Sequence, residues 1–243
     1  GLIGMRLARC SESVFQPSTK DSYVSEYYPR RNTNYGSGDL IFCFMYSGFR
    51  HRPLVQFDIS DLPDNATISQ GDLNLYYNWH EPGCDPVGKS IAAYKLTRSD
   101  WVESQVTWNI YKTGSNWTTP GGDYVTSNPS GVSLIMPSSY GWMDWQITDI
   151  VSNFYSYQYY VDVLIVPDMS GQATGFFSSF YSREYTTDIT LRPKLIVTYT
   201  TPPPADYSPI AVSSFLRPYG EQLEKSSFSL SANLEPNRWK KDT

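Results

Sequence analysis

Apolar and polar side chains alternate in the segment Val55-Gln56-Phe57-Asp58-Ile59. A period of two places successive side chains on opposite faces of a β-strand, so Val55, Phe57 and Ile59 share one face. The same alternation recurs in residues 73–77, where Leu73, Leu75 and Tyr77 share a face. We expect both segments to be strands with one face in a core and the other at the surface.

Further strands are expected on both sides of these two segments. Alternating stretches cover residues 92–96, 161–166 and 194–199. They are separated by clusters of glycine, proline, asparagine and serine, which are typical of turns. The pattern predicts an all-β fold, an antiparallel β-sandwich of the jelly-roll kind over residues 20–200.

One segment departs from the period of two. In residues 148–154, Ile150, Val151 and Phe154 recur at helical offsets behind Thr148, whose hydroxyl could cap the amino end of a helix. We predict a short helical turn here that closes one end of the sandwich.

The composition supports a β-rich fold and disfavours several kinds of partner. Aromatic residues make up 16% of the 243 residues, the formal net charge is -5 and the sequence pI is near 5.0. Because an acidic protein does not attract phosphate backbones, we expect no nucleic-acid partner. No apolar run is long enough to span a membrane, and no export signal is visible, although a signal already removed would leave the same appearance.

The carboxyl-terminal part of the chain differs from the rest. Pro202, Pro203 and Pro204 predict a stiff extended spacer, because each proline fixes its own φ and keeps the preceding residue extended. We therefore divide the chain into an amino-terminal segment (1–19), the sandwich (20–200) and an extended arm (201–243). Scattered apolar residues in the arm would be buried only on another surface, such as a neighbouring subunit. A mobile tail is the alternative. These apolar residues include Phe215, Leu216, Leu223, Phe228 and Leu230.

The most specific motif is Trp101-Val102-Glu103-Ser104-Gln105-Val106-Thr107-Trp108-Asn109. It resembles the signature of the disaggregatase-related (DNRLRE) β-sandwich domain, also classed among alginate-type carbohydrate-binding modules, with Val102 in place of the usual threonine. Residues 52–59, 145–151 and 177–195 resemble further blocks of that family in the same order. The resemblance covers about residues 20–200 and implies the same sandwich fold, but it says little about the partner.

The residues of this signature are suited to packing. Trp101, Trp108 and Trp145 are large apolar bodies with one donor each, and we expect them to fill a sandwich core. Glu103 and Thr107 could then hold a loop in place. A surface platform of aromatic rings that stacks on sugars is the alternative. We interpret Arg183, Glu184 and Arg192 as a partly buried charge network.

Catalysis has few candidate residues. The chain has two histidines and no Gly-x-Ser-x-Gly elbow, so a hydrolytic triad is poorly supported. No phosphate-binding glycine loop precedes a helix, and the three cysteines lack the spacing of a zinc site or a disulfide framework. We expect a non-enzyme without a cofactor. Sandwiches of this type can bind calcium, but the sequence contains no recognisable calcium-binding loop, and we assign no metal site.

Two functions remain. The first is a structural or adhesion protein of a viral or extracellular assembly, such as a virion decoration, capsid or tail component, whose arm docks on a neighbouring subunit in a homo- or hetero-oligomer. The alternative is a carbohydrate-binding module that holds a polysaccharide or cell-surface glycan on exposed aromatics. Both place the protein in a virion, outside the cell or at a cell surface. The candidate sugar-binding residues are Trp79, Trp117, Trp142, Tyr76 and Tyr159.

Overall fold

The computed structural model describes residues 9–46, 48–168 and 175–202, and these form thirteen strands and one α-helix. The elements in chain order are β1 (Arg9–Phe15), β2 (Lys20–Ser25), β3 (Leu40–Tyr46), β4 (Phe49–Asp58), β5 (Thr67–His80), β6 (Ser90–Lys95), β7 (Ile110–Lys112), β8 (Ser115–Asn116), β9 (Val132–Ile135), β10 (Gly141–Gln146), α1 (Thr148–Tyr155), β11 (Tyr160–Pro167), β12 (Phe176–Tyr181) and β13 (Lys194–Thr201). Two short 3-10 turns lie at Tyr28–Arg30 and Ile189–Leu191.

Eleven of these strands form one antiparallel sheet, and β7 and β8 form a separate small hairpin. The order along the large sheet is β1-β13-β5-β12-β3-β4-β11-β6-β9, while β10 pairs with β5 and β2 pairs with β4. The predicted all-β antiparallel fold is confirmed. The sandwich is built from a single large sheet that curls over its own core.

The main core lies on the inner face of the curled sheet. In β5, Leu73, Leu75 and Tyr77 are buried there, as the alternation predicts. Trp145 from β10 and Phe180 from β12 are fully buried in the same core. Burial of these large side chains supplies the main favourable term in folding.

Strand β4 is buried on both faces, whereas we expected one face at the surface. Val55 and Phe57 point into the main core, while Leu54 belongs to a second cluster on the opposite face. That second core is made by the long connection between β6 and β9, which brings Trp101 and Trp108 over the sheet. A polar residue on this face, Gln56, is therefore buried as well. The alternation alone gives no sign of this covering loop.

The sandwich begins earlier than we expected. Residues 9–15, which we assigned to a segment preceding it, form β1 and pair with β13. The division at residue 201 stays a prediction. Pro202 is exposed, and Pro203, Pro204 and the apolar residues of the arm lie outside the described residues.

The predicted helix forms, but its cap differs. Thr148 is the first helical residue, and Ile147 occupies the cap position without a side-chain hydrogen bond. The Thr148 hydroxyl instead accepts a hydrogen bond of 3.1 Å from the backbone N–H of Gly71 in β5. Ile150, Val151 and Phe154 are buried, so the helix packs its apolar side on the core. Within the described part of the chain, no helix has the length and apolar character needed to cross a membrane.

Candidate functional site

The outer face of β10, β5 and β12 carries surface aromatic side chains. Trp142 of β10 lies directly opposite Tyr76 of β5, and residues in direct register on antiparallel strands share a face. Their neighbours Met143 and Leu75 point into the core, which places Trp142 and Tyr76 on the outside. The alternation of β12 puts Tyr181 on the same side, because Phe180 is in the core.

The rings of Trp142, Tyr76 and Tyr181 contact one another in a row, and Tyr185, in the segment after β12, extends the row. We name these four residues the aromatic strip. The centroids of Trp142 and Tyr76 are 5.4 Å apart with the rings edge to face. Tyr76 is 5.7 Å from Tyr181 in a stacked arrangement, and Tyr181 stacks on Tyr185 at 3.6 Å. Trp142 is 37% exposed, so the strip offers aromatic surface to solvent.

Polar and charged groups border the strip at the Trp142 end. The Lys194 Nζ atom lies 4.0 Å from the centre of the Trp142 ring, in a cation–π contact. The Asn74 amide donates a hydrogen bond of 3.4 Å to Asp144 Oδ1. Burial, and then the nearby Asp72 carboxylate, raise the pKa of Asp144. Of these groups only the Asp144 carboxyl is exposed, and it is of the kind that binds sugar hydroxyls, whereas Asn74 and Asp72 are buried.

The aromatic surface continues along β12 toward β3. Phe177 lies on the same side of β12 as Tyr181, with Ser179 between them. Its ring is 5.1 Å from Phe42, 5.2 Å from Phe44 and 5.8 Å from Trp79, measured between centroids. All of these side chains are half-buried. Trp142, Tyr76 and Trp79, three of the candidates predicted from sequence, thus lie on one side of the sheet.

The other two candidates lie elsewhere. Trp117 is only 3% exposed, and its Nε1–H donates a hydrogen bond of 3.0 Å to the Thr107 carbonyl. Because its ring is enclosed in the second core, Trp117 presents no face to a glycan, and its prediction as an exposed platform is corrected. Tyr159 is 45% exposed, but it precedes β11, and its hydroxyl lies 3.3 Å from Asp64 Oδ1, apart from the strip.

Sequence reasoning missed Tyr181 and Tyr185. The sequence Phe-Phe-Ser-Ser-Phe-Tyr of β12 does not alternate apolar with polar residues, so no signal of period two marked Tyr181 as outward-facing. Tyr185 carried no such signal, because it lies in an irregular segment after β12. It is held in place through its backbone carbonyl, which accepts a hydrogen bond of 2.7 Å from Arg192 Nε.

The signature tryptophans are all in the two cores. Trp101 is 1% exposed, and its Nε1–H donates a hydrogen bond of 2.8 Å to Asp162 Oδ1, which also accepts one of 2.7 Å from Gln56. Burial raises the pKa of Asp162 to about 6. Trp108 packs against the buried Arg52 guanidinium, 5.0 Å from the ring centre. Trp145 is fully buried, and its indole N–H has no partner among the described residues.

Glu103 and Thr107 fix the loop that carries two of these tryptophans. The Glu103 carboxylate accepts a hydrogen bond of 2.7 Å from the backbone N–H of Asp21 and pairs with Arg183 at 3.1 Å. The Thr107 hydroxyl accepts hydrogen bonds of 3.3 Å from two backbone N–H groups, those of Asn109 and Ile110. Within the charge network we interpreted from sequence, Arg183 also lies 3.8 Å from Glu184, whereas Arg192 bonds the Tyr185 carbonyl.

Glycine at position 36 lets this loop approach the connection between β2 and β3. A Cβ atom built there would lie 2.2 Å from the Glu103 carbonyl oxygen, whereas one on Gly38 would lie 3.6 Å from the nearest atom, the Leu40 carbonyl oxygen. We predict that Gly36→Ala lowers the free energy of unfolding by at least about 2 kcal/mol, because backbone must move. Gly38→Ala should change it by less than about 0.5 kcal/mol. Urea denaturation of both variants tests this, and equal midpoints would contradict it.

Three carboxylates gather beside the same loop. One oxygen from each of Asp21, Glu103 and Glu184 lies within 4.8 Å of the others. Burial raises the pKa of Asp21 to about 7, although hydrogen bonds from Ser18 and the Arg183 backbone oppose this shift. We assigned no metal site from sequence, since these residues come from three distant segments. Asp21, Glu103 and Glu184 therefore form no metal-binding motif that could be recognised from their spacing in the sequence.

A cleft of about 700 Å³ lies elsewhere, in the connection between β6 and β9. Its lining includes Arg98, Asp123 and Tyr124, and none of the five predicted sugar-binding residues. The Asp123 carboxylate is already bound by the backbone N–H groups of Thr118 and Thr119, at 2.9 and 2.7 Å. The cleft is therefore a second concave surface, separate from the aromatic strip.

The sequence matches the profile of a known protein family. Residues 12–199 fit the profile of carbohydrate-binding module family 96. A search of the curated proteins found no match. The matched range spans nearly the whole described sheet, from within β1 to within β13, and it includes every residue of the aromatic strip. The chain therefore belongs to carbohydrate-binding module family 96.

Proposed function

We propose that this protein binds a glycan on the aromatic strip. Family membership supports the general role, since the family consists of carbohydrate-binding modules. The observation that carries the choice of surface is the row of four contacting rings, three on the outer face of β10, β5 and β12 and the fourth, Tyr185, in the segment after β12. Tyr76, Tyr181 and Tyr185 stack on one another, so the ring open to a sugar is chiefly Trp142. A flat aromatic ring provides an apolar partner for the C–H face of a sugar ring.

The shape of this surface suits an extended chain. The strip crosses several neighbouring strands, which lie about 4.8 Å apart. A polysaccharide could therefore lie along the strip with one unit on Trp142, while the exposed Asp144 at the border accepts hydrogen bonds from its hydroxyls and the buried Asn74 holds Asp144 in place. A sheet holds these side chains rigidly, so little ordering entropy is lost on binding.

The charges beside the strip favour a neutral glycan. One cation, Lys194, lies over Trp142, while two carboxyl groups, Asp72 and Asp144, lie near it. A polyanion such as alginate would approach these carboxylates and a chain whose formal net charge is -5. Like charges repel, so the strip is better suited to an uncharged polysaccharide than to the acidic polymer that the alginate-type resemblance implies.

The predicted structural role in a virion has no support in the family match, which favours the alternative, glycan binding. It depends on the arm, whose docking residues lie outside the described part of the chain, and it stays a prediction. The same holds for partner subunits and for the finer resemblance to the disaggregatase-related domain. A non-catalytic role agrees with membership in a family of binding modules, and we place the protein outside the cell or at a cell surface, where polysaccharides occur.

Affinity gel electrophoresis tests the proposal. We expect migration to be retarded by at least one neutral polymer among hydroxyethyl cellulose, xylan and glucomannan, and to be unaffected by alginate. Retardation by alginate alone would contradict the preference for a neutral glycan. Migration unaffected by any glycan, including a broad array of cell-surface oligosaccharides, would overturn glycan binding itself.

A further inference from the structure

We infer that the protein holds a calcium ion between the carboxylates of Asp21, Glu103 and Glu184. The three side chains come from β2, from the connection after β6 and from the segment after β12. Their oxygens lie within 4.8 Å of one another, with Asp21 buried and the two glutamates half-buried. This site is distinct from the aromatic strip, and the inference does not depend on glycan binding.

Two carboxylate oxygens of the cluster are buried and accept no hydrogen bond from the described residues. Asp21 is 1% exposed, and its Oδ1 has no hydrogen-bond partner among the described residues. Its other oxygen is satisfied, since it accepts hydrogen bonds of 2.6 Å from the Ser18 hydroxyl and 2.8 Å from the Arg183 backbone N–H. Glu184 Oε2 is also buried without a partner. A carboxylate oxygen in such a position normally binds a donor or a metal, because leaving it bare costs free energy.

The charge balance points the same way. Arg183 is the cation beside the cluster, and its guanidinium lies 3.1 Å from Glu103 and 3.8 Å from Glu184. It does not reach Asp21 with its side chain; only its backbone N–H does. When all three are ionised, the carboxylates outnumber the charges of Arg183 and of Lys20, which also acts on Glu103. A divalent ion would stabilise the ionised form of Asp21, which burial disfavours.

The donor set and spacing select calcium. All three ligands are carboxylate oxygens, which are typical of hard cations, whereas zinc prefers nitrogen and sulfur. Ca²⁺ accepts irregular oxygen ligation at about 2.3–2.6 Å, whereas Mg²⁺ requires near-octahedral geometry at about 2.0–2.1 Å and keeps several of its waters. Three oxygens that all lie within 4.8 Å of one another can therefore close on a single calcium ion with little movement. The ion would join three segments that are far apart in the chain.

Isothermal titration calorimetry with calcium chloride tests the inference on the full chain after treatment with EDTA. We expect one calcium ion per chain, with magnesium at least about 10-fold weaker, and a rise in Tm of about 5–10 °C at a calcium concentration about 100 times Kd. Glu184→Gln should weaken calcium binding at least about 10-fold and reduce the rise in Tm. Absence of binding at millimolar calcium, or equal affinity for magnesium, would overturn the inference.

A matched variant controls for loss of charge. Glu26→Gln removes another half-buried carboxylate, one that pairs with Arg50 at 2.6 Å outside the cluster, and it should bind calcium as the wild type does. Circular dichroism in EDTA establishes that each variant is folded before titration. If Glu184→Gln does not fold, Asp21→Asn is titrated in its place with the same expected loss. Unchanged calcium affinity in the folded variant would overturn the inference.

Discussion

Replacing Trp142 with alanine should weaken binding of the retarding neutral polysaccharide by roughly 30-fold, equivalent to about 2 kcal/mol. The ring is the most exposed member of the aromatic strip, and it also holds Lys194 in place over its face. Its removal takes away both the stacking surface and the position of that cation. Affinity gel electrophoresis at several polysaccharide concentrations measures the change in Kd.

Tyr159→Ala is the control for this prediction. Tyr159 is more exposed than Trp142, at 45% against 37%, but it lies apart from the strip. We expect its removal to leave the affinity within about 2-fold of the wild type. The reverse pattern, with Tyr159→Ala losing binding and Trp142→Ala retaining it, would place the glycan elsewhere on the molecule.

Trp101→Ala should lower the free energy of unfolding by about 4 kcal/mol or more. Removal of a fully buried tryptophan typically costs 3–5 kcal/mol. In addition, Asp162 loses a hydrogen bond of 2.8 Å while it remains buried. For a chain of this length we expect Tm to fall by roughly 10–15 °C.

Trp142→Ala is the matched control, because it removes the same side chain from the surface. It should lower Tm by no more than a few degrees while it abolishes most of the binding. Differential scanning calorimetry of the two variants separates the packing role of Trp101 from the binding role of Trp142. A Trp101→Ala protein that melts within about 2 °C of the wild type would contradict its place in the core.

The alternation of apolar residues was sufficient to predict the class of fold. The inward set of Leu73, Leu75 and Tyr77 follows from a period of two, and so does the outward position of Tyr76. Burial of Gln56 did not follow, because it depends on a loop from a distant part of the chain. Nor did the pairing of β1 with β13, since edge strands with exposed residues carry a weak apolar pattern.

The residues of the candidate sites were harder to predict from the sequence than the fold. Residue type alone gave no reason to prefer Trp142 over Trp117, and only the packing of the loop over β4, which buries Trp117, separates them. The carboxylates of Asp21, Glu103 and Glu184 meet only because the curled sheet brings β2, the loop and the end of β12 together. Contacts between residues this far apart in the chain depend on the topology of the sheet, and the local spacing of residues in a single sequence does not predict them.

Nuclear magnetic resonance titration tests the central claim most directly. The full chain, labelled with ¹⁵N, is titrated with an oligosaccharide of the neutral polymer that retards it. Binding on the aromatic strip predicts that the Trp142 indole N–H and the backbone amides of Tyr76 and Tyr181 shift with one common Kd, while the amides of Tyr159 and Tyr124 do not. Shifts concentrated at Tyr159, or around Tyr124 and the cleft beside Arg98, would contradict it.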